Sequence, residues 1–219
     1  MSKYIVQNAG PLSGKVRISG AKNAILPLMA ATLLTNEECI LRDVPDLQDV
    51  KILGGLLSDI GTTIIDNGGG EISYETENII KTDADIDFFS KMRASILIIG
   101  PLLAREGKAK MPFPGGCPIG ERPINLHLKG FEQLGADVKQ NDDSIEITAP
   151  KDGLKGNIIY LDFPSVGATQ NIMTAASLAK GMTTIENAAR EPEIVDLANL
   201  LNKMGAKVRG AGQDTIRIE

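Results

Sequence analysis

The chain has 219 residues, of which 42% are hydrophobic and 23% are charged, as in folded globular proteins and unlike disordered or collagen-like chains. Its formal net charge of −5 argues against a protein that binds nucleic acid on a basic face, although a local basic site stays compatible with it. Cys39 and Cys117 lie in different contexts, which favours a reducing compartment over a disulfide framework. His127 is the only histidine, so sites built from several histidine ligands are excluded.

No stretch of the sequence is predicted to cross a membrane or to direct secretion. The longest uncharged apolar runs, residues 24–34 and 94–104, have about half of the roughly 20 residues that a bilayer requires. The first ten residues lack the apolar core of a secretory signal. We therefore expect a cytoplasmic protein without nucleic-acid or membrane partners, and we expect neither a cofactor nor a metal.

In chain order, the sequence repeats one pattern three times, with related positions about 70 to 75 residues apart. Each repeat has a serine, Ser19, Ser90 or Ser165, followed by an apolar run that predicts a helix buried on all sides. Serine is favoured at helix N-termini, and we expect all three serines to cap their helices.

Each repeat continues with a second, amphipathic helix that ends at a glycine: Gly61, Gly135 or Gly205. The apolar face of the third of these helices is predicted at Val195, Leu197, Leu200, Leu201 and Met204. Polar turns at 67–70, 141–144 and 210–214 predict a hairpin and a closing strand after each helix. Each unit is thus strand, helix, strand, helix, strand, strand, and the simplest architecture surrounds three buried helices with sheets.

Three equivalent helices imply three N-termini gathered at one end of the domain, each with backbone N–H groups and partial positive charge. Lys22, Lys91 and Arg93 add cations to the first two, whereas residues 165–169 are small and let an anion approach the backbone. This pattern predicts a cationic end suited to a phosphate-rich ligand. The alternative, in which the serines only cap helices and the cations are solvated, stays open.

Residues 111–123 contain four prolines and three glycines and are predicted to form a loop. Cys117 lies in its middle, near Arg122, and a thiol in a loop beside a cation is a setting for reactive cysteines. An incidental surface thiol is the alternative. Cys39 lies in an alternating strand and is predicted as a small core residue. His127 is expected to have a hydrogen-bonded structural role rather than a catalytic one.

Five segments together resemble the UDP-N-acetylglucosamine 1-carboxyvinyltransferases, a family of enolpyruvyl transferases. They are SGAKNAILPLMAA at 19–31, MRASILIIGPLLAR at 92–105, GGCPIGERPINLHLKGFEQLGA at 115–136, DFPSVGATQNIM at 162–173 and ENAAREPEIVDLANLL at 186–201. The resemblance implies an α/β fold, an inside-out α/β barrel domain of three βαβαββ repeats with buried helices and outer sheets. It implies that residues 1–18 form N-terminal strands belonging to another domain, that 19–219 form the three-repeat domain, and that a second domain is missing.

The resemblance also implies a reaction: enolpyruvyl passes from phosphoenolpyruvate to the 3′-hydroxyl of UDP-N-acetylglucosamine, the first committed step of peptidoglycan precursor synthesis. With it come roles in cell-wall biogenesis, cell shape and division. Cys117 is implied as the general acid, with Lys22 and Arg122 as further catalytic residues. Substrate contacts are implied for Lys22, Asn23, Arg93, Arg122, Pro123, Ile124, Asn125, Leu126, Phe163, Ser165, Val166, Gly167 and Glu191.

Two departures from the family pattern matter. First, family members have two such domains with six repeats, whereas this chain has three repeats. The base that takes the hydroxyl proton belongs to the second domain, so the isolated chain is expected to be inactive or nearly so. Phe163 stands where some members carry lysine, so one phosphate contact is either lost or supplied by the backbone. Three alternatives stay open: a non-catalytic UDP-sugar-binding fragment, a truncated product without activity, and another enolpyruvyl transferase such as 5-enolpyruvylshikimate-3-phosphate synthase.

Overall fold

Helices form where apolar residues recur at a spacing that places them on one or more faces of a helix. The computed structural model describes residues 3–83, 88–89, 92–112 and 124–219. The helices within these ranges are α1 (Lys22–Ala31), α2 (Gln48–Ile60), α3 (Ile99–Glu106), α4 (Asn125–Gln133), α5 (Val166–Ala176) and α6 (Pro192–Lys203). Two 3-10 turns adjoin them: Thr32–Leu34 follows α1, and Arg93–Ile98 leads into α3.

The strands of the described residues form three separate sheets, one for each repeat. They are β1 (Cys39–Leu41), β2 (Thr63–Gly68), β3 (Glu71–Glu75), β4 (Lys108–Pro112), β5 (Asp137–Gln140), β6 (Ser144–Thr148), β7 (Ile158–Tyr160), β8 (Thr183–Glu186), β9 (Val208–Arg209) and β10 (Thr215–Ile218). The strand orders are β1-β3-β2, β4-β6-β5 and β7-β8-β10-β9. In every sheet the closing strand of the predicted hairpin lies in the centre, which confirms the threefold repeat.

The interior is helical. All nine residues from Ala168 to Ala176 in α5 are buried, as are most of those in α1 and α3. Helix α5 packs against α3, α4 and α6, and α1 packs against α2 and α6. The sheets lie outside these helices and expose one face, so the predicted arrangement of buried helices and outer sheets is confirmed.

The predicted helix ends also form. Gly61 adopts a φ of 122°, which disfavours other residues, and its N–H donates to the carbonyls of Leu57 and Ser58. Gly135 and Gly205 have positive φ angles at the corresponding ends. The turns at 67–70, 141–144 and 210–214 join antiparallel strands, as predicted.

Four local predictions are corrected by the structure. Ser19 does not cap α1: the residue before the helix is Ala21, which is extended and supplies no side-chain cap, and Ser19 lies two residues further upstream. Gly20 between them lies close to the carbonyl oxygen of Asp43. Cys39 is half-buried rather than in the core, because β1 is short and only its last residue, Leu41, is buried. Burial, with Glu37 and Glu38 nearby, raises the pKa of the Cys39 thiol.

The other two corrections concern β4 and α6. Met111 and Pro112 belong to β4 rather than to the loop, which is tolerated because β4 is an edge strand. The fully buried stripe of α6 is Ile194, Leu197, Ala198 and Leu201. Val195, Leu200 and Met204 are half-buried at its edge, because the stripe follows the spacing i, i+3, i+4, i+7 from Ile194.

Residues 3–21 form neither helix nor strand. The strands expected within 1–18 were assigned to another domain, and they stay a prediction. No strand of the described residues pairs with this segment, so its backbone lacks the ladder that would hold it extended. Six large apolar side chains within it are 79–98% exposed: Tyr4, Ile5, Val6, Leu12, Val16 and Ile18. Among the described residues, none of the helices is both long and apolar enough to cross a bilayer.

Candidate functional site

A large cavity lined by described residues lies where several helices begin. Its volume is about 1000 Å³, and its lining includes the first turns of α1, α2, α4 and α5, the residues at the start of α6, and the beginning of the 3-10 turn at Arg93. Each helix start presents N–H groups without intrahelical acceptors and a partial positive charge. The predicted gathering of N-termini at one end of the domain is therefore confirmed for α1 and α5, and α2, α4 and α6 join them.

The start of α5 offers backbone donors. The Ser165 hydroxyl accepts a hydrogen bond from the Ala168 N–H at 3.3 Å, which confirms its predicted role as a cap. Val166 and Gly167, the first two residues of α5, both line the cavity. A Cβ at Gly167 would lie 3.2 Å from Cε1 of His127, so glycine permits this close packing of helix and ring. This arrangement suits a bound anion.

The start of α1 offers a side-chain cation. Lys22 is the first residue of α1, and its Nζ lies 2.8 Å from Oδ2 of Asp49 in the first turn of α2. Both side chains line the cavity, and the Lys22 side chain is about half exposed. A solvent-exposed pair of this kind adds little stability, so the lysine is able to exchange its carboxylate partner for a ligand phosphate at low cost.

Beneath the cavity, Asn171 of α5 connects three elements. Its Oδ1 accepts from the N–H of Gly100 at 3.0 Å, and its Nδ2 donates to the carbonyl of Ile96 at 3.0 Å and to Nδ1 of His127 at 2.8 Å. The Gly100 N–H requires the oxygen of the amide on its side, so Nδ1 of His127 faces a donor and acts as an acceptor. The neutral imidazole therefore carries its proton on Nε2.

The His127 ring is held in this neutral state. It is buried, and burial together with the charge of Arg93 lowers its pKa to about 4. The ring also lines the cavity and stays neutral across the physiological pH range. The predicted hydrogen-bonded structural role is confirmed, and contact with the cavity adds to it.

Most of the residues expected to contact substrate come together in this cavity. Its lining contains Lys22, Asn23, Arg93, Asn125, Leu126, Phe163, Ser165, Val166, Gly167 and Glu191. Ile124 is the buried residue before α4 and is not part of the lining. Cys117, Arg122 and Pro123 lie outside the described residues, as do Ser90 and Lys91.

Sequence reasoning missed part of the lining. Three further carboxylates, those of Asp49, Asp162 and Glu193, join Glu191 around the cavity, so the lining described is mixed in charge rather than uniformly cationic. Asp162 is paired with Lys129 at 2.8 Å. Among the described residues, no three His, Cys, Asp or Glu side chains are grouped so that they would hold a metal ion. Gln170 was also missed, although it follows Val166 by one helical turn.

Solved structures define the class of fold. The enolpyruvyl transferase NikO from Streptomyces tendae superposes with a TM-score of 0.80 at 22% identity, over 96% of this chain and 49% of that chain. EPSP synthase from Acinetobacter baumannii superposes with a TM-score of 0.72 at 18% identity, over 94% of this chain and 46% of that chain. The fold is therefore the α/β fold of enolpyruvyl transferases, as predicted.

Sequence relatives are closer. The chain is 54% identical over 219 residues to UDP-N-acetylglucosamine 1-carboxyvinyltransferase 1 of Caldanaerobacter subterraneus subsp. tengcongensis, covering 100% of this chain and 52% of the relative. It is 56% identical over 207 residues to UDP-N-acetylglucosamine 1-carboxyvinyltransferase of Finegoldia magna, covering 94% of this chain and 49% of the relative. The chain thus spans about half the length of these relatives. The profile of the EPSP synthase (3-phosphoshikimate 1-carboxyvinyltransferase) family matches residues 6–219, and the chain belongs to this family.

Proposed function

We propose that the chain is one half of a cytoplasmic enzyme that transfers enolpyruvyl from phosphoenolpyruvate to the 3′-hydroxyl of UDP-N-acetylglucosamine, the first committed step of peptidoglycan precursor synthesis. The observation that carries the proposal is the convergence of five helix N-termini, those of α1, α2, α4, α5 and α6, on one cavity, with Lys22 and Arg93 beside them. Two negatively charged ligands have to be held together in this reaction, and such an arrangement stabilises negative charge. The curated relatives with this activity in their names support the choice of substrate.

The diphosphate of the sugar nucleotide is proposed to bind at the start of α5. There the N–H groups of Val166 and Gly167 supply donors, and Ser165 fixes the first turn. Phe163 is 67% exposed at the cavity and carries no charge, so the backbone takes over the phosphate contact that a lysine would make at this position.

The remaining lining residues are proposed to orient the two substrates. Lys22 neutralises phosphate charge after leaving Asp49, and Asn23 lies next to it on α1. Arg93 is proposed to contact substrate from the 3-10 turn, and Glu191 from the start of α6. Asn125 and Leu126 are proposed to meet the nucleotide directly, and the buried Ile124 acts by placing them.

The residues outside the described ranges complete the proposed mechanism. Cys117 is proposed to protonate the methylene carbon of phosphoenolpyruvate while the 3′-oxygen adds to the neighbouring carbon; loss of phosphate and of a proton from the resulting methyl group then restores the double bond. Arg122 is proposed to neutralise the charge of phosphoenolpyruvate, and Pro123 to contact the sugar nucleotide. The base for the 3′-hydroxyl is assigned to a second domain. We propose that the exposed apolar residues within 3–21 pack against that domain, which is the partner of this chain.

The cavity lies within this one chain, which keeps a second candidate function open: a non-catalytic module that binds the UDP-sugar. Two measurements separate the candidates. Calorimetric titration with UDP-N-acetylglucosamine is expected to show binding in both cases. Phosphate release in the presence of both substrates is expected to be absent or nearly so from the 219-residue chain alone, and to appear when the second domain is present.

Lys22→Met is expected to weaken nucleotide binding at least about tenfold, because a charged hydrogen bond to phosphate is lost. Lys155→Met is the matched control, since Lys155 is likewise paired with an aspartate, Asp152, at 3.0 Å but does not line the cavity. Failure of the unaltered chain to bind UDP-N-acetylglucosamine, or an equal effect of the two substitutions, overturns the proposal.

A further inference from the structure

The buried polar side chains of α5 are hydrogen-bonded with one exception. Asn171 makes the three bonds described above, and Thr169 Oγ1 accepts from the N–H of Ala189 at 3.1 Å. The Thr174 hydroxyl donates to main-chain carbonyls of its own helix. Gln170 is 4% exposed and lines the cavity, yet its Nε2 has no hydrogen-bond partner. An unpaired buried amide lowers stability, so its presence at a cavity points to a ligand that supplies the missing partner.

The position of Gln170 on α5 restricts which part of a ligand it meets. It follows Val166 by four residues and Gly167 by three, so it lies on their face of the helix, about 5 Å further along the axis. A phosphate bound at the helix start therefore lies above Gln170. The group that Gln170 contacts is the one that follows the phosphate into the cavity.

In a nucleoside diphosphate sugar, the β-phosphate is linked through an oxygen to C1 of the sugar. The next polar substituent lies on C2, and in N-acetylglucosamine it is an acetamido group. A side-chain amide complements an acetamido group, because the N–H of one donates to the carbonyl of the other. No charged side chain is required for this contact.

We propose that Gln170 is a specificity-determining residue that recognises the 2-acetamido group of the sugar, its side chain turning so that Nε2, which is buried in the absence of ligand, donates to the acetyl carbonyl. The inference rests on the proposed function and adds to it the group that selects this sugar over others. A site built to hydrogen-bond one substituent rejects an analogue without it, because the buried amide then stays unpaired.

The test compares UDP-N-acetylglucosamine with UDP-glucose, which carries a hydroxyl at C2. Calorimetric titrations give the affinity ratio for the unaltered chain, for Gln170→Met and for Gln133→Met. Gln133 is the matched control: its Oε1 is also buried without a partner, but it does not line the cavity. Gln170→Met is expected to lower the ratio about tenfold, with UDP-glucose affinity nearly unchanged, whereas Gln133→Met leaves the ratio as it was.

The thermal unfolding temperature separates a binding role of Gln170 from a structural one. If Gln170 had a structural role, its substitution would lower this temperature. Methionine fills a similar volume without a polar atom, so Gln170→Met is expected to unfold at the same or a higher temperature. As a second measurement, the side-chain NH₂ resonances of Gln170 are expected to shift with UDP-N-acetylglucosamine and to shift little with UDP-glucose.

The possible failures are distinguishable. If the unaltered chain binds neither nucleotide, the proposed function fails and the inference fails with it. If it binds and discriminates but Gln170→Met discriminates equally well, the inference alone is overturned. A lower unfolding temperature with an unchanged ratio assigns Gln170 a structural role and also overturns the inference.

Discussion

Helices α1 and α5 occupy equivalent places in the first and third repeats, yet they serve the cavity by different means. Helix α1 begins without a side-chain cap and presents the Lys22 ammonium, which is paired with Asp49. Helix α5 begins at the capping Ser165 and presents backbone N–H groups. One helix thus contributes a cation on a flexible side chain, and the other contributes donors held rigidly by the helix.

The interiors of the two helices differ as well. The buried residues of α1 are apolar, among them Ile25, Leu26 and Met29. Those of α5 include four polar side chains: Thr169, Gln170, Asn171 and Thr174. The comparison shows that a repeated backbone brings helix starts together without requiring the same side chains at each start. It also predicts that the two helices respond differently to equivalent changes.

The largest difference is expected at Asn171. Asn171→Leu is expected to lower the free energy of unfolding by about 4 kcal/mol, because it leaves buried partners on Gly100, Ile96 and His127 unpaired. Met29→Leu in α1 is the matched control and is expected to cost less than about 1.5 kcal/mol, since it exchanges apolar groups of similar volume. Urea unfolding measures both.

Similar losses in the two variants would contradict the comparison. They would show that the buried polar groups of α5 contribute no more to stability than apolar packing does in α1. Gly100→Ala offers an independent check on the same contact, because its Cβ would lie 2.4 Å from the carbonyl oxygen of Asn171. It is expected to destabilise the chain by displacing α3 from α5.

The next largest effect is a pH dependence of the stability, and it is due to His127, which is hydrogen-bonded to Asn171 of α5. The pKa of His127 is about 4 in the folded chain and about 6.5 when the chain is unfolded, so the unfolded state binds the proton more readily. The neutral His127 makes its full contribution to the free energy of unfolding above pH 6.5. This free energy decreases as the pH falls towards 4, and at pH 4.5 the loss due to His127 is roughly 2 to 3 kcal/mol.

Urea unfolding at pH 7 and at pH 4.5 tests this expectation. His127→Gln retains an acceptor for Asn171 but has no group that titrates in this range, so its stability is expected to fall less between the two pH values. Carboxylates elsewhere affect both proteins alike. An equal loss in both would mean that the His127 proton equilibrium is the same in the folded and unfolded states.

The smallest effect concerns the two serines that the repeat makes equivalent. Ser165→Ala is expected to lower the free energy of unfolding by about 1 kcal/mol, because the Ala168 N–H loses its acceptor. Ser19→Ala is expected to change it by less than about 0.5 kcal/mol, since Ser19 is exposed and caps nothing. Chemical unfolding of both variants decides the matter, and equal effects would contradict the assignment of only Ser165 as a cap.

Local patterns predicted much of the fold. The turns rich in Asn, Asp and Gly and the glycines that end the second helices depend on conformations that few other residues adopt, so they were read correctly from the sequence. The cap at Ser19 was not, because a serine before an apolar run does not fix the residue at which the helix begins, and α1 begins at Lys22. The prediction that Cys39 lies in the core was also wrong, since the exposure of this residue depends on how its sheet covers the helices.

For the site, the sequence predicted residue types and the structure selected among them. Cations and small residues next to apolar helices pointed to an anion site, and ten of the expected contacts line the cavity. The carboxylates of Asp49 and Glu193 and the amide of Gln170 did not stand out, because such residues are common in exposed helical turns. Only their burial or their position at the cavity gives them meaning.

The sequence by itself determined the threefold repeat, the sites of the hairpins and the helices that had to be buried, because these follow from local conformational preference and hydrophobic period. Only the tertiary structure decided that helix starts from different repeats open into one cavity, that His127 is neutral with its proton on Nε2, and that one amide of α5 lacks a partner. These properties depend on distances between residues that are far apart in the chain. Packing sets those distances, and no local pattern encodes them.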